Sequence, residues 1–114
     1  MWMQDSDALR EACLSHVDAV GLTAVADRFH RFAPRQPGVP AGVTGVVLLA
    51  ESHLAVHTWP ERGVVTLDVF VCNLLGDNQS RAHALMEALI EGFRPRFINR
   101  QAVRREIPDA AATD

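Results

Sequence analysis

The chain is poor in the features that define several large classes of protein. Two cysteines, Cys13 and Cys72, among 114 residues are too few for a disulfide framework, and a reducing, cytoplasmic setting is the simplest reading. No apolar run approaches the ~18 residues that a membrane-spanning helix needs. The opening stretch, MWMQDSDALR, lacks the basic region and apolar core of a secretory signal. There is no internal repeat and no low-complexity segment. An excess of positive charge is missing too. The net charge is −3 and the pI near 5.9, which argues against general binding to nucleic acid or to an anionic membrane. The arginines between positions 94 and 105 do not alter this. Without a run of interleaved aromatics they read as a solvated basic tail.

What is present is ordinary for a globular protein: 48% apolar and 22% charged residues. The length fits one domain, residues 1–114. A chain this short buries its core only modestly and gains from oligomerisation.

Periodicity divides the chain into elements. In DSDALREACLSHVDAVG, Leu9, Ala12, Cys13, His16, Val17 and Val20 recur at helical spacing, with Asp5 or Ser6 as cap and Gly21 as terminator. Residues 22–32 read as a strand, and APRQPGVPAG, rich in proline and glycine, as a loop. Residues 43–59 are strand-like but far exceed the usual ~5–6 residues, so the polar trio Glu51-Ser52-His53 marks a break. Ser52 and His57 are an odd number apart, so one regular strand points them to opposite faces. If they cooperate, the backbone must bend between them. VVTLDVFVC alternates cleanly: Val65, Leu67, Val69 and Val71 form a core face, and Thr66, Asp68, Phe70 and Cys72 a mixed one. DNQSRAHALMEALIEG is a second helix, capped by Asp77 or Asn78, with Ala82, Leu85, Met86 and Leu89 buried and Gly92 ending it. A last extended piece, about 96–103, is expected as an edge strand. The order predicts an α+β two-layer sandwich, an antiparallel sheet with two helices packed on one face.

The chemistry concentrates between positions 51 and 72. Each residue has a plain structural reading. Ser52 suits a turn, His57 a core edge, Cys72 a small buried hydrophobe, and Glu61 a solvated turn after Pro60. Cys13 does read that way, on a helical apolar face. Two functional rivals fall short. His53, His57 and Cys72 are acceptable zinc ligands, but their spacing fits no compact zinc motif, and no metal is expected. A serine–histidine hydrolase needs an elbow such as G-x-S-x-G, and AESHL is not one.

The block GVTGVVLLAESHLAVHTWPERGVVTLDVFVCN, with FHRF upstream, closely resembles the bacterial and archaeal S-adenosylmethionine decarboxylases, which use a pyruvoyl group. The resemblance implies a proenzyme that cuts itself between Glu51 and Ser52, leaving a β chain of residues 1–51 and an α chain of residues 52–114. The Ser52 hydroxyl attacks the Glu51 carbonyl and the amide becomes an ester. Loss of the Ser52 α-proton, with His57 as base, eliminates the Glu51 carboxylate. The dehydroalanine left behind hydrolyses to the pyruvoyl cofactor. That ketone forms a Schiff base with the substrate amine and accepts the electrons released with carbon dioxide. The family implies further roles: Thr44 supports processing, Cys72 returns a proton to the substrate, Glu61 holds the ribose hydroxyls, Phe32 stacks on adenine and Leu54 gives backbone contacts. The implied substrate is S-adenosylmethionine, the product an aminopropyl donor for spermidine, and the assembly a homodimer of αβ units. The alternatives are a same-scaffold decarboxylase of arginine or ornithine, and a processing-dead homologue acting as a partner subunit.

The sequence departs from its relatives in three places. Thr44 stands in GVTG where relatives usually have serine, keeping the hydroxyl and adding a methyl. The loop around 35–41 is longer. A strand that usually precedes the first helix is not seen, so either the start is misplaced or an exposed sheet edge pairs with another subunit.

Overall fold

The fold was obtained as a computed structural model, and it describes residues 2–50, 52–71 and 78–102. Within them the order is α1 (Ser6–Ala19), β1 (Ala24–Arg31), β2 (Val43–Leu49), β3 (His53–Trp59), β4 (Val64–Phe70) and α2 (Gln79–Phe93). The four strands form one antiparallel meander in the order β1-β2-β3-β4. The α+β expectation is met: α1 lies against β1 and β2, and α2 against α1 and β4.

The core follows from the two periodicities. Leu9, Cys13 and Val17 come from α1 and Leu85 and Leu89 from α2. They meet Val43, Val47 and Leu49 of β2 and Leu54 and Val56 of β3. Alternation thus sends odd positions of β2 and even positions of β3 inward, and the intervening positions away from the helices. Gly45 sits opposite Phe29, and a Cβ there would come within 2.3 Å of the Phe29 ring. The missing side chain lets that ring lie across β2.

Caps and ties hold the layers together. The Asp5 carboxylate accepts from the Ala8 N–H at 3.0 Å, so Asp5 rather than Ser6 caps α1. The Arg10 guanidinium donates to both Asp27 oxygens, at 2.6 and 3.2 Å, joining α1 to β1. The Thr58 hydroxyl, the only buried polar side chain in the described core, donates to the Met3 carbonyl at 2.7 Å and accepts from the Val43 N–H at 2.8 Å.

Two expectations are corrected. The second helix does not end at Gly92 but runs to Phe93, and Arg94 closes it in the left-handed region at φ 53°. Gly92 serves packing instead: the Trp2 ring lies where a Cβ would stand, 2.2 Å away. The strand expected over about 96–103 does not form in its described part, 96–102. The chain turns back along α2, where Arg100 donates to both carboxylate oxygens of Glu87. Pro95, at the start of this segment, has no N–H to give a ladder.

Candidate active site

The break in the long strand-like stretch falls between Leu49, the end of β2, and His53, the start of β3. Leu48 pairs with His53, and one step further the Leu49 N–H donates to the Ser52 carbonyl at 2.9 Å. Ser52 therefore sits, half-buried, where a tight connection between β2 and β3 closes. Glu51 lies outside the described residues.

Thr44 and His57 lie on the sheet face turned away from the helices. One cross-strand row runs through His30, Thr44, His57 and Thr66. Within it the Thr44 hydroxyl meets His57 Nδ1 at 2.7 Å. The His57 ring lies 6.0 Å from that of Trp59. His30 meets Phe32 edge-on at 4.9 Å, and Phe32 is half exposed. Glu61 lies just beyond, exposed in the turn between β3 and β4. Thr44, His57, Phe32 and Glu61 thus share one end of the sheet.

Ser52 is at the other end. β3 is paired continuously on both sides from His53 to His57, so the bend that cooperation of Ser52 and His57 within one chain would require is not there. Five residues of extended chain separate their Cα atoms by roughly 16 Å. Around Ser52 the structure assembles a second group. His53 Nε2 meets Asp68 Oδ2 at 3.0 Å, and the His53 ring lies over Phe70 at 5.6 Å and 33°. Asp68 lies on the mixed face, as the alternation of VVTLDVFVC predicts, and its pairing with His53 is new. The signal was available, because Asp68 and His53 both alternate onto that face.

The remaining candidates are as follows. The Leu54 side chain is wholly buried in the core, so only its backbone is available to a ligand. Cys72 lies outside the described residues. Cys13 is buried as expected, and burial pushes its thiol up to about 12. Among the described residues no group of three or more histidines, cysteines and carboxylates is placed to hold a metal ion. No described helix is long and apolar enough to cross a membrane.

The open face is also apolar. Leu48, Trp59 and Val64 are 46%, 40% and 44% exposed, and Val46 and Ala55 between them are half-buried. One chain therefore carries a serine turn and a histidine–threonine pair at opposite ends of a sheet whose outer face no described element covers.

The family model for S-adenosylmethionine decarboxylase matches residues 1–106. An S-adenosylmethionine decarboxylase proenzyme of Aquifex aeolicus is 39% identical over 87% of the chain and 66% of its own length. A proenzyme of the same name from Archaeoglobus fulgidus is 43% identical over 69% of the chain and 62% of its own length. The chain thus spans about two thirds of the length of such relatives. The crystal structure of the Aquifex aeolicus adenosylmethionine decarboxylase superposes with a TM-score of 0.72 at 33% identity, covering 94% of this chain and 84% of that one.

Proposed function

Because the chain belongs to the S-adenosylmethionine decarboxylase family, we propose that it is a self-processing decarboxylase of S-adenosylmethionine, with a pyruvoyl group made from Ser52. The product is the aminopropyl donor for spermidine synthesis, and the setting is cytoplasmic. The observation that carries the reading is the 2.7 Å contact between Thr44 and His57. Two side chains chosen for processing from the sequence meet on one face.

That contact has a productive form. With the proton on Nδ1, His57 donates to the Thr44 oxygen and keeps a lone pair on Nε2. The Thr44 hydroxyl hydrogen is then free to donate to an oxyanion at the Glu51 carbonyl. One protonation state thus supplies both the base for the Ser52 α-proton and a donor for the attacked carbonyl. At the serine end, the closed turn and the Leu49 hydrogen bond at 2.9 Å hold the Ser52 carbonyl still while its hydroxyl attacks. The Ser52 end fits the cofactor, since conversion starts from a serine on a constrained peptide. When present, the ketone supplies the electron sink for carboxylate loss. Cys72 returns the proton, Glu61 receives the ribose hydroxyls, Phe32 stacks on the adenine, and the Leu54 backbone lines the pocket.

The separation of about 16 Å means that the base and the serine of one chain do not serve each other. We assign the assembly as a homodimer in which two open faces pack together. A two-fold axis lying between the faces and crossing β3 near Leu54 and Ala55 exchanges positions 52 and 57. The Ser52 of each chain then meets the Thr44–His57 pair of the other, and Glu61 and Phe32 travel with that pair. The exposed Leu48, Trp59 and Val64 are covered in the same step.

The test is intact mass after incubation, read with a hydrazine probe. Two fragments, residues 1–51 and 52–114, are expected, with the probe on the second. The chain has no lysine, so no lysine amine competes for the ketone. Ser52→Ala is expected to stay whole and unreactive. A parent chain that stays in one piece and ignores hydrazine defeats the proposal. Turnover of S-adenosylmethionine but not of arginine or ornithine decides the substrate.

A further inference from the structure

Cleavage changes what holds Ser52. Before it, residue 52 is tied covalently on both sides and its carbonyl is bound by the Leu49 N–H. After it, Leu49 belongs to a different chain, and the β2–β3 connection is covalently open. The keto residue has one bond left, its amide to the nitrogen of His53. The position of the reactive carbonyl then depends on how firmly His53 is held.

We propose that Asp68 and His53 form a latch that positions the keto end of the α chain once the peptide in front of it has been cut. Both residues lie on the α chain, so their contact survives cleavage. The Asp68 carboxylate receives the His53 Nε2 at 3.0 Å, and Phe70 lies under the ring at 5.6 Å. Asp68 is opposite Ala55 in the register and Phe70 opposite His53. The ring is thus gripped by two residues of β4 rather than by the severed β2. A carboxylate on one nitrogen fixes both the tautomer and the orientation of an imidazole. The pair is partly exposed in a single chain, with 35% of the His53 side chain and 44% of the Asp68 side chain accessible. It therefore contributes little to folding, and its effect falls on position.

The inference rests on the self-cleavage reading, and its test separates the two. The parent, Asp68→Ala, Asp68→Asn, His53→Ala and the double alanine chain are each followed for cleavage by mass and for turnover by carbon dioxide release. Expected are parent-like cleavage of Asp68→Ala, a fall in kcat between about ten- and a hundredfold from misplacement of the reacting carbonyl, and little change in KM. Asp68→Asn, which keeps an acceptor for the imidazole N–H, recovers most of the loss. The double variant is no slower than the slower single one, because the two residues act as one unit. Parent-like turnover of Asp68→Ala overturns the latch. So does an Asp68→Ala chain that fails to fold or stays uncut beside a cut parent, since the pair would then act before cleavage. An Asn variant no better than Ala overturns it as well. A parent that is not cut removes the self-cleavage reading itself, and the latch with it.

Discussion

The sharpest consequence of the geometry is that two defective chains should repair each other. In β3, both neighbours pair with every residue from His53 to His57. Bringing His57 to Ser52 within one chain means stripping the strand from two ladders at once, at about 0.5–1.5 kcal/mol for each hydrogen bond lost. A second copy removes that cost. Ser52→Ala and His57→Ala chains are each expected to stay whole when made alone. Made together in equal amounts, they pair at random, and about half of the dimers are mixed. A mixed dimer holds one complete site, with Ser52 from the His57→Ala chain and His57 from the Ser52→Ala chain, and one site lacking both groups. About half of the His57→Ala chains, or a quarter of all chains, are therefore cut. A mass tag on the His57→Ala chain lets intact-mass spectrometry count this directly. Only that chain can show cleavage, since the other has no serine to convert. If the mixture stays wholly uncut while both variants fold and pair, assembly across the two-fold axis is wrong. If His57→Ala alone is cut at the parent rate, His57 is not the base.

Further outcomes follow from other parts of the molecule. Cys72→Ala is expected to be cut normally and to decarboxylate at least tenfold more slowly, read by mass and carbon dioxide release; normal turnover would end its assignment as proton donor. Val46→Glu places a carboxylate beside Arg28, its register partner, so the fold survives, while burial of that charge in the dimer does not. Sedimentation is expected to show an uncut monomer, and a cut dimer contradicts the proposed interface. Burial holds the Cys13 thiol neutral, up to about 12 against an ordinary 9.0, so the unfolded chain ionises first as pH rises. The stability this contributes is intact below pH 9 and is lost toward 12, by about 1.4 kcal/mol for each unit in between. The chain has no tyrosine or lysine to titrate there. Urea midpoints at pH 7 and pH 10 are expected to fall for the parent more than for Cys13→Ala, and equal falls refute the claim.

Much of the fold was legible because it rests on local pattern. The break between β2 and β3 could be placed from length and polarity alone, and the alternation of VVTLDVFVC predicted the two faces of β4. The α1 stripe of Leu9, Cys13 and Val17 became core as its spacing required. The misreadings came where a distant contact decides. Gly92 carries the usual mark of a helix end, yet it is there because Trp2, at the far end of the sequence, occupies the space of its Cβ. The segment 96–102 has strand-like composition, but Arg100 finds Glu87 on α2.

The candidate site was legible as a set of residue types and not as an arrangement, for a physical reason. Parity says which face a side chain takes, and spacing says how far along the strand it lies. Neither says which copy of the chain supplies the partner. For Thr44 and His57 this did not matter, because antiparallel register brings them together from neighbouring strands at 2.7 Å. For Ser52 and His57 it mattered completely. A separation of five residues looks short in the sequence and is roughly 16 Å along a strand, too far for proton transfer and about right for the two ends of a face that meets its own reverse. In the proposed homodimer the open apolar face and the divided site have one cause. A sheet that left its Leu48, Trp59 and Val64 exposed without a partner would gain nothing from that exposure. A sheet that packs on its own copy buries them and completes two sites at once.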